Sequence, residues 1–276
     1  FQKHAEIYYS IDYSESGFIF APFDSQNQSV LIPMLGSNFM QEEFRAEKKQ
    51  EDVKVKTENT VDEISKSEHI KLIEKAIEAI EHNQFKKVVL SRKEEVQLKR
   101  FNSAKVFRRL LDQYSNAFVY VWFHPTIGLW LGATPEALLK IKGSQFETMA
   151  LAGTQLYTGS TDVIWQQKEK DEQQFVTDYI EEKVSKIADK IKKSNVETIK
   201  AGSLLHLKTT IKGRLKEQDT SLKTLIDALH PSPAVCGLPK EAAAHFILEH
   251  EYYIRSFYTG FLGEVNMVGS IFKKSY

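Results

Sequence analysis

The sequence predicts an α+β fold built on antiparallel sheets. Short β-branched and aromatic runs dominate it, and the helical segments do not alternate evenly with them. No Gly-x-Gly-x-x-Gly or phosphate-loop pattern is present, so nothing in the chain marks a nucleotide site of those kinds. A doubly wound parallel sheet needs the regular alternation that is missing here. The 276 residues contain no repeat and no Pro/Gly-rich linker, and they read as one domain over 1–276.

The first strands are expected around Ile7–Tyr9, Gly17–Ala21 and Ser29–Ile32. Gln41 to Thr60 (41–60) is highly charged and nearly free of large apolar residues, which reads as an exposed loop. Ile70, Ile73, Ile77 and Ile80 recur at spacings of three and four, predicting a helix with that face inward and Asn83 at its close. Lys86–Val96 is β-rich and predicts a strand. Ser103 can cap a helix to about Tyr114 with Val106, Leu110 and Leu111 inward.

Further strands are expected at Ala117–Phe123, Gly128–Leu131, Ala137–Ile141 and Phe146–Leu151. The longest helix should run from Thr161 or Asp162 to near Lys193. Its inward positions are Phe175, Tyr179 or Ile180, Val184, Ile187 and Ile191. Strands at Ser203–Leu207 and Thr210–Leu215, then short helices over Ser221–Leu229 and Glu241–Glu249, complete the pattern.

Composition removes several function classes. Lys+Arg and Asp+Glu both number 37, so there is no basic excess to grip nucleic acid or an anionic membrane. The longest apolar run, Ala117–Phe123, is far short of the ~18 residues of a membrane span. Cys236 is the single cysteine; no intrachain disulfide can form, and a reducing cytoplasm is the expected setting. No signal-peptide pattern opens the chain, and both ends, Phe1 and Phe272–Tyr276, read as cut.

Five places could carry chemistry. Lys87 enters the apolar run Lys87-Val88-Val89-Leu90, either as a gatekeeper on an edge strand or as a desolvated base. On a strand its side chain and that of Lys86 point to opposite faces. Glu136 sits at a bend framed by Gly132 and Pro135, where its carboxyl either caps a backbone amide or serves as a general acid. Glu169 and Glu172 share a helix face with the buried stripe. Either they are solvated beside Lys168, Lys170 and Asp171, or they hold a hard cation such as Mg²⁺. His206 lies in an apolar strand, where a core histidine satisfied by backbone is the usual reading, and His230-Pro231-Ser232-Pro233-Ala234 is a stiff extended loop that either lines a pocket or simply connects elements. No His/Cys cluster has zinc spacing, and Cys236 reads as a small buried residue.

The order of these pieces is more specific than any one of them. Lys-Val-Val-Leu-Ser-Arg (87–92), Leu-Gly-Ala-Thr-Pro-Glu (131–136), Leu-Ala-Gly-Thr (151–154), Lys168 to Glu172, His206-Leu207, His230 to Lys240 and Arg255-Ser256-Phe257-Tyr258-Thr259-Gly260 follow one another. This series resembles the chorismate-utilising enzymes over about Ile70 to Val265. The His-Pro-Ser-Pro-Ala loop is most similar to the isochorismate synthase branch. Salicylate synthases, other chorismate enzymes, or an inactive homologue that only binds remain the alternatives.

The resemblance implies two large, mainly antiparallel sheets packed together with helices outside and a pocket between. It implies a base at Lys87 that activates water for attack at C2 of chorismate, and an acid at Glu136 that protonates the departing C4 hydroxyl. It further implies Mg²⁺ on Glu172 with support from Glu169, and a substrate pocket lined by Gly153, Thr154, His206 and Ala234. The partner is then the small molecule chorismate, with no nucleic acid or membrane, in a monomer serving menaquinone or siderophore synthesis. Two departures stand out: Gln173 replaces a histidine usual in the family, and Gly269–Tyr276 matches none of the family's C-terminal part, which the resemblance therefore marks as missing.

Overall fold

The computed structural model describes residues 1–44, 63–216 and 221–267. The chain opens with β1 (Tyr8–Ser10), β2 (Gly17–Ala21) and β3 (Ser29–Pro33), and α1 (Glu63–Glu81) then leads into β4 (Lys87–Val88). Next come α2 (Ser103–Gln113), β5 (Phe118–His124), β6 (Gly128–Thr134), β7 (Lys140–Lys142) and β8 (Gln145–Leu156). After α3 (Gln167–Ser185) follow β9 (Ala188–Lys193), β10 (Glu197–Ala201) and β11 (Leu204–Leu215). Finally come α4 (Leu222–Leu229), β12 (Gly237–Leu238), α5 (Lys240–His250) and β13 (Phe261–Val265).

Every strand pair described is antiparallel, as the α+β reading expects. One sheet has the order β1-β3-β2-β13, and a five-stranded sheet has the order β10-β11-β8-β7 with β9 also on β11. Two ribbons, β12-β4 and β5-β6, complete the set.

The five-stranded sheet is organised by alternation. Phe146, Ala150 and Ala152 of β8 and Ile211 of β11 share a core with Val176, Ile180 and Val184 of α3. Each fully buried Val or Ile of this kind contributes about 1.5–3 kcal/mol through removal of apolar surface from water. The two larger sheets meet through α4 and Leu139. Leu229 packs with the α3 core, Ile226 packs with Ile19, Ala21 and Leu31 of the first sheet, and Leu139 touches both.

Several boundaries differ from the sequence reading. The longest helix ends at Ser185, and Ala188–Lys193 forms strand β9 on β11. Its stripe is Val176, Tyr179, Ile180 and Val184, whereas Phe175 is exposed. The Lys86–Val96 strand shrinks to Lys87–Val88, because β12 is its one described partner and is itself two residues long. The two strands expected at 203–207 and 210–215 are one, β11, and Asn102 rather than Ser103 caps α2. The isoleucine face of α1 is the largest correction. Ile70, Ile73, Ile77 and Ile80 are exposed, and Leu72, Ala76 and Ala79 are the buried positions, packed on Phe85 and Phe246. Most of the expected 41–60 loop, and all of Gly269–Tyr276, lie outside the described residues.

Candidate active site

Lys87 is delivered by the short ribbon β4-β12. Leu238 pairs with Lys87 and Gly237 with Val88. Gly237 has φ +152° and sits against the Lys87 carbonyl, where a Cβ would overlap backbone atoms. That close approach requires glycine and brings the loop 230–238 up to the lysine strand. Lys86 is exposed, while Lys87 turns inward. The Lys87 side chain is 12% exposed, and its Nζ lies 2.9 Å from Glu172 Oε1. This is an ion pair without the alignment of a hydrogen bond.

Glu136 follows β6, with its backbone N–H donating to Thr134 Oγ1 at 3.2 Å. Part of the residue reaches the surface, yet its carboxyl is surrounded by protein. Burial pushes the carboxyl up to about 7, against the opposing effects of the Lys87 charge and a hydrogen bond from the Ser232 side chain. The electrostatic influence of Lys87 places the two groups near one another, and no ion pair joins them among the described residues.

Glu169 and Glu172 stand one turn apart at the start of α3. Glu169 is buried, with Oε1 3.3 Å from Lys168 Nζ and Oε2 lacking any hydrogen-bond partner. Glu172 is 39% exposed and points to Lys87. Among the described residues no group of three or more His, Cys, Asp or Glu converges on one point. Two carboxylates suit Mg²⁺, which keeps several waters and accepts substrate oxygens. The orphaned Glu169 oxygen fits such a cation.

The pocket wall expected at Gly153, Thr154 and His206 is built around a register shift between His206 and Leu207. Gly153 adopts φ +74°, and a Cβ there would lie 3.0 Å from the Glu169 carbonyl, so the bulge fits against α3 because the residue is glycine. His206 Nδ1 lies 3.2 Å from both the Gly153 carbonyl and Thr154 Oγ1. Burial lowers the His206 pKa, against the Gly153 carbonyl and the nearby Glu172 charge. Gln173 is fully satisfied behind this wall, accepting from the Ala152 N–H at 2.9 Å and donating to the Ala150 carbonyl at 3.2 Å and Thr209 Oγ1 at 3.1 Å. It ties α3 to β8 and β11.

The proline loop adds two more residues to this region. Ala234 is half-buried against the α3 core, and Ser232 is buried beside Glu136. His230 is structural. Its Nε2 meets the Pro22 and Phe23 carbonyls at 3.1 and 3.2 Å, and burial lowers its pKa to about 4. Cys236 is wholly buried, as expected, and burial raises its thiol to about 12.

Lys87, Glu136 and Glu172 are thus brought together, with His206, Gly153 and Thr154 beside Glu172. Sequence reasoning missed Ser232, which was read as a loop residue, and the buried pair Glu251–Arg255. No local spacing announces a contact between the loop at 232 and the turn at 136.

A sequence family described as chorismate binding enzyme matches residues 24–270. The salicylate biosynthesis isochorismate synthase of Pseudomonas aeruginosa is 29% identical over 204 residues, 71% of this chain and 42% of that protein. Isochorismate synthase EntC of Escherichia coli K12 is 27% identical over 266 residues, 90% of this chain and 67% of that protein. The solved MenF, the menaquinone-specific isochorismate synthase of Escherichia coli, superimposes with a TM-score of 0.66 at 18% identity, over 92% of this chain and 70% of that one. The chain spans about half the length of the curated relatives it matches first, 52% and 42% of two of them.

Proposed function

The chain belongs to the chorismate binding enzymes, and from that premise we propose that it converts chorismate to isochorismate. One observation carries the reading. A carboxyl that burial keeps proton-bearing up to about pH 7 lies near an inward-turned lysine, and the two are not paired with each other. An isomerisation that adds water at one ring carbon and expels it from another needs a base and an acid at separate positions.

Lys87, reacting as the neutral amine rather than as the ammonium paired with Glu172, takes a proton from water, whose oxygen bonds to C2 of the ring. The ring double bonds shift, and the C4–O bond breaks. Glu136 gives its proton to that oxygen, which leaves as water, so atoms and charge balance. Ser232 holds one side of the Glu136 carboxyl. Gly153, Thr154, His206 and Ala234 line the space between. Glu169 and Glu172 would hold Mg²⁺, which when bound neutralises the ring carboxylate. The product would serve menaquinone or siderophore synthesis, in keeping with the names of the relatives.

The test is incubation of the chain with chorismate, with and without Mg²⁺, and chromatographic separation of the products. Isochorismate formed only with the metal supports the reading. Salicylate or anthranilate as the product, or unchanged chorismate, rejects it.

A further inference from the structure

The Lys87 strand lacks a conventional neighbour soon after it begins. The Val89 N–H donates to the Cys236 carbonyl at 2.8 Å, and beyond that the segment is in no described strand. Backbone polar groups of a partly buried segment still need partners. Here one buried ion pair supplies them. Arg255 and Glu251 have side chains 2% and 1% exposed, joined by Nε to Oε2 at 2.7 Å and Nη2 to Oε1 at 2.6 Å. Arg255 Nη2 also donates to the Val89 carbonyl at 2.7 Å, and Nη1 donates to the Val235 carbonyl at 2.9 Å and to Thr259 Oγ1 at 3.1 Å. Glu251 Oε1 accepts the Ser91 N–H at 2.8 Å and the Ser91 hydroxyl at 2.9 Å. The guanidinium lies over the Phe23 ring, 4.5 Å from its centroid.

A single guanidinium therefore ties together two carbonyls from the two segments that meet at Lys87, one continuing β4 and one leading into β12. Val89 is two residues past Lys87, and Val235 directly follows Ala234. We infer that the Arg255–Glu251 pair is a positioning unit that fixes the inward placement of Lys87 relative to the 230–238 loop. The inference deepens the reading of Lys87 as the base and rests on it for its catalytic meaning. A rigid planar fork is required: a lysine at 255 keeps the charge but cannot meet both carbonyls and both carboxylate oxygens at once. An apolar pair would fill the same volume and leave the Val89 carbonyl and the Ser91 N–H unpartnered.

The experiment reads Lys87 directly. The chain is acetylated briefly with acetic anhydride, and the labelling of Lys87 relative to its exposed neighbour Lys86 is measured by mass spectrometry. Wild type, Arg255→Lys and Leu31→Ala are compared. The last destabilises the core beneath the first sheet, whose cluster includes no residue of β4 or β12, and serves as a control for general loosening. Relative labelling of Lys87 should rise ~10-fold or more in Arg255→Lys, the scale of losing hydrogen bonds to a charged group, and stay at the wild-type value in Leu31→Ala. Equal labelling in the two variants overturns the inference.

If Arg255→Lys does not fold, Ser91→Ala decides. Labelling should rise about threefold, the scale of one hydrogen bond, and return with Ser91→Thr. No rise with Ser91→Ala overturns the proposal. Labelling requires no turnover. A wild type that labels as expected but makes no isochorismate rejects the activity and leaves the positioning role standing.

Discussion

The proposed acid and base sides of the site are built by opposite means. Glu136 is surrounded by protein, and its proton affinity is set mainly by burial, with Lys87 and Ser232 working against it. Lys87 comes from a ribbon two residues long and is held by a specific charge, Glu172, which is itself 39% exposed. The acid side is thus tuned by what is absent, water, and the base side by what is present, a carboxylate at the mouth. Changes to the acid side should therefore act through pH, and changes to the base side through geometry.

The largest expected effect breaks the base side. Lys87→Ala should lower turnover ~10²-fold or more, the scale of a lost general base, with secondary structure retained by circular dichroism. Turnover equal to wild type would remove Lys87 from the chemistry.

Next comes the acid side. Glu136→Gln keeps the shape and loses the proton, so kcat should fall by at least about tenfold with KM nearly unchanged. In the wild type, activity should decline as pH rises through about 7, where the Glu136 proton is lost. Steady-state kinetics across pH 5–9 measures both, taking pH values on the order of those in general acid–base profiles.

The same group gives a stability prediction. A carboxyl whose folded pKa lies near 7 binds its proton more tightly folded than unfolded. Its contribution is most favourable below the unfolded pKa and is lost as pH rises toward the folded value. The shift from the ordinary carboxylate range corresponds to something on the order of 3 kcal/mol. Glu136→Gln should remove this slope, so the variant should be the more stable protein above about pH 7 in urea unfolding. A wild-type slope that persists in the variant would assign it to other groups.

The smallest effect sharpens the comparison. Ser232→Ala removes the hydrogen bond that favours the charged carboxylate. The Glu136 pKa should then rise further, moving the alkaline limb of the pH–rate profile up by about half a unit to one unit. A limb that moves down would mean the serine stabilises the protonated form instead.

How much of this was legible in the sequence depended on whether the deciding interactions were local. Gly17–Ala21 was bounded correctly because a short apolar run and the Ser16 and Pro22 that flank it are all local in the chain. Ala188–Lys193 was read as helix because Ile187 and Ile191 continue the apolar spacing set by Val184. Pairing with β11, a tertiary partner, turned it into strand. The comparison of α1 and α3, both 19 residues long, makes the same point. Periodicity identified each helix, but in α1 the more apolar face is the exposed one. Packing on Phe85 and Phe246 selects the face with Ala76 and Ala79, whose small side chains admit close approach. At the site, the types and order of Lys87, Glu136 and Glu172 were visible in the chain. The contact of Ser232 with Glu136 and the clamp of Arg255 on Val89 join residues 96 and 166 positions apart, and nothing local encodes them.

Cys236 gives the chain an internal clock. Its thiol is fully buried among Phe23, Ala243 and Ile247, and its carbonyl accepts the Val89 N–H beside the lysine strand. A thiol reagent can reach it only when the packing of Phe23, α5 and this ribbon around it opens, and with one cysteine in the chain every modified molecule reports opening at that one place. When reclosing is faster than modification, the observed rate gives the free energy of opening. When modification is faster, it gives the opening rate itself. The residue with no part in the chemistry thus records how often the scaffold beneath Lys87 comes apart.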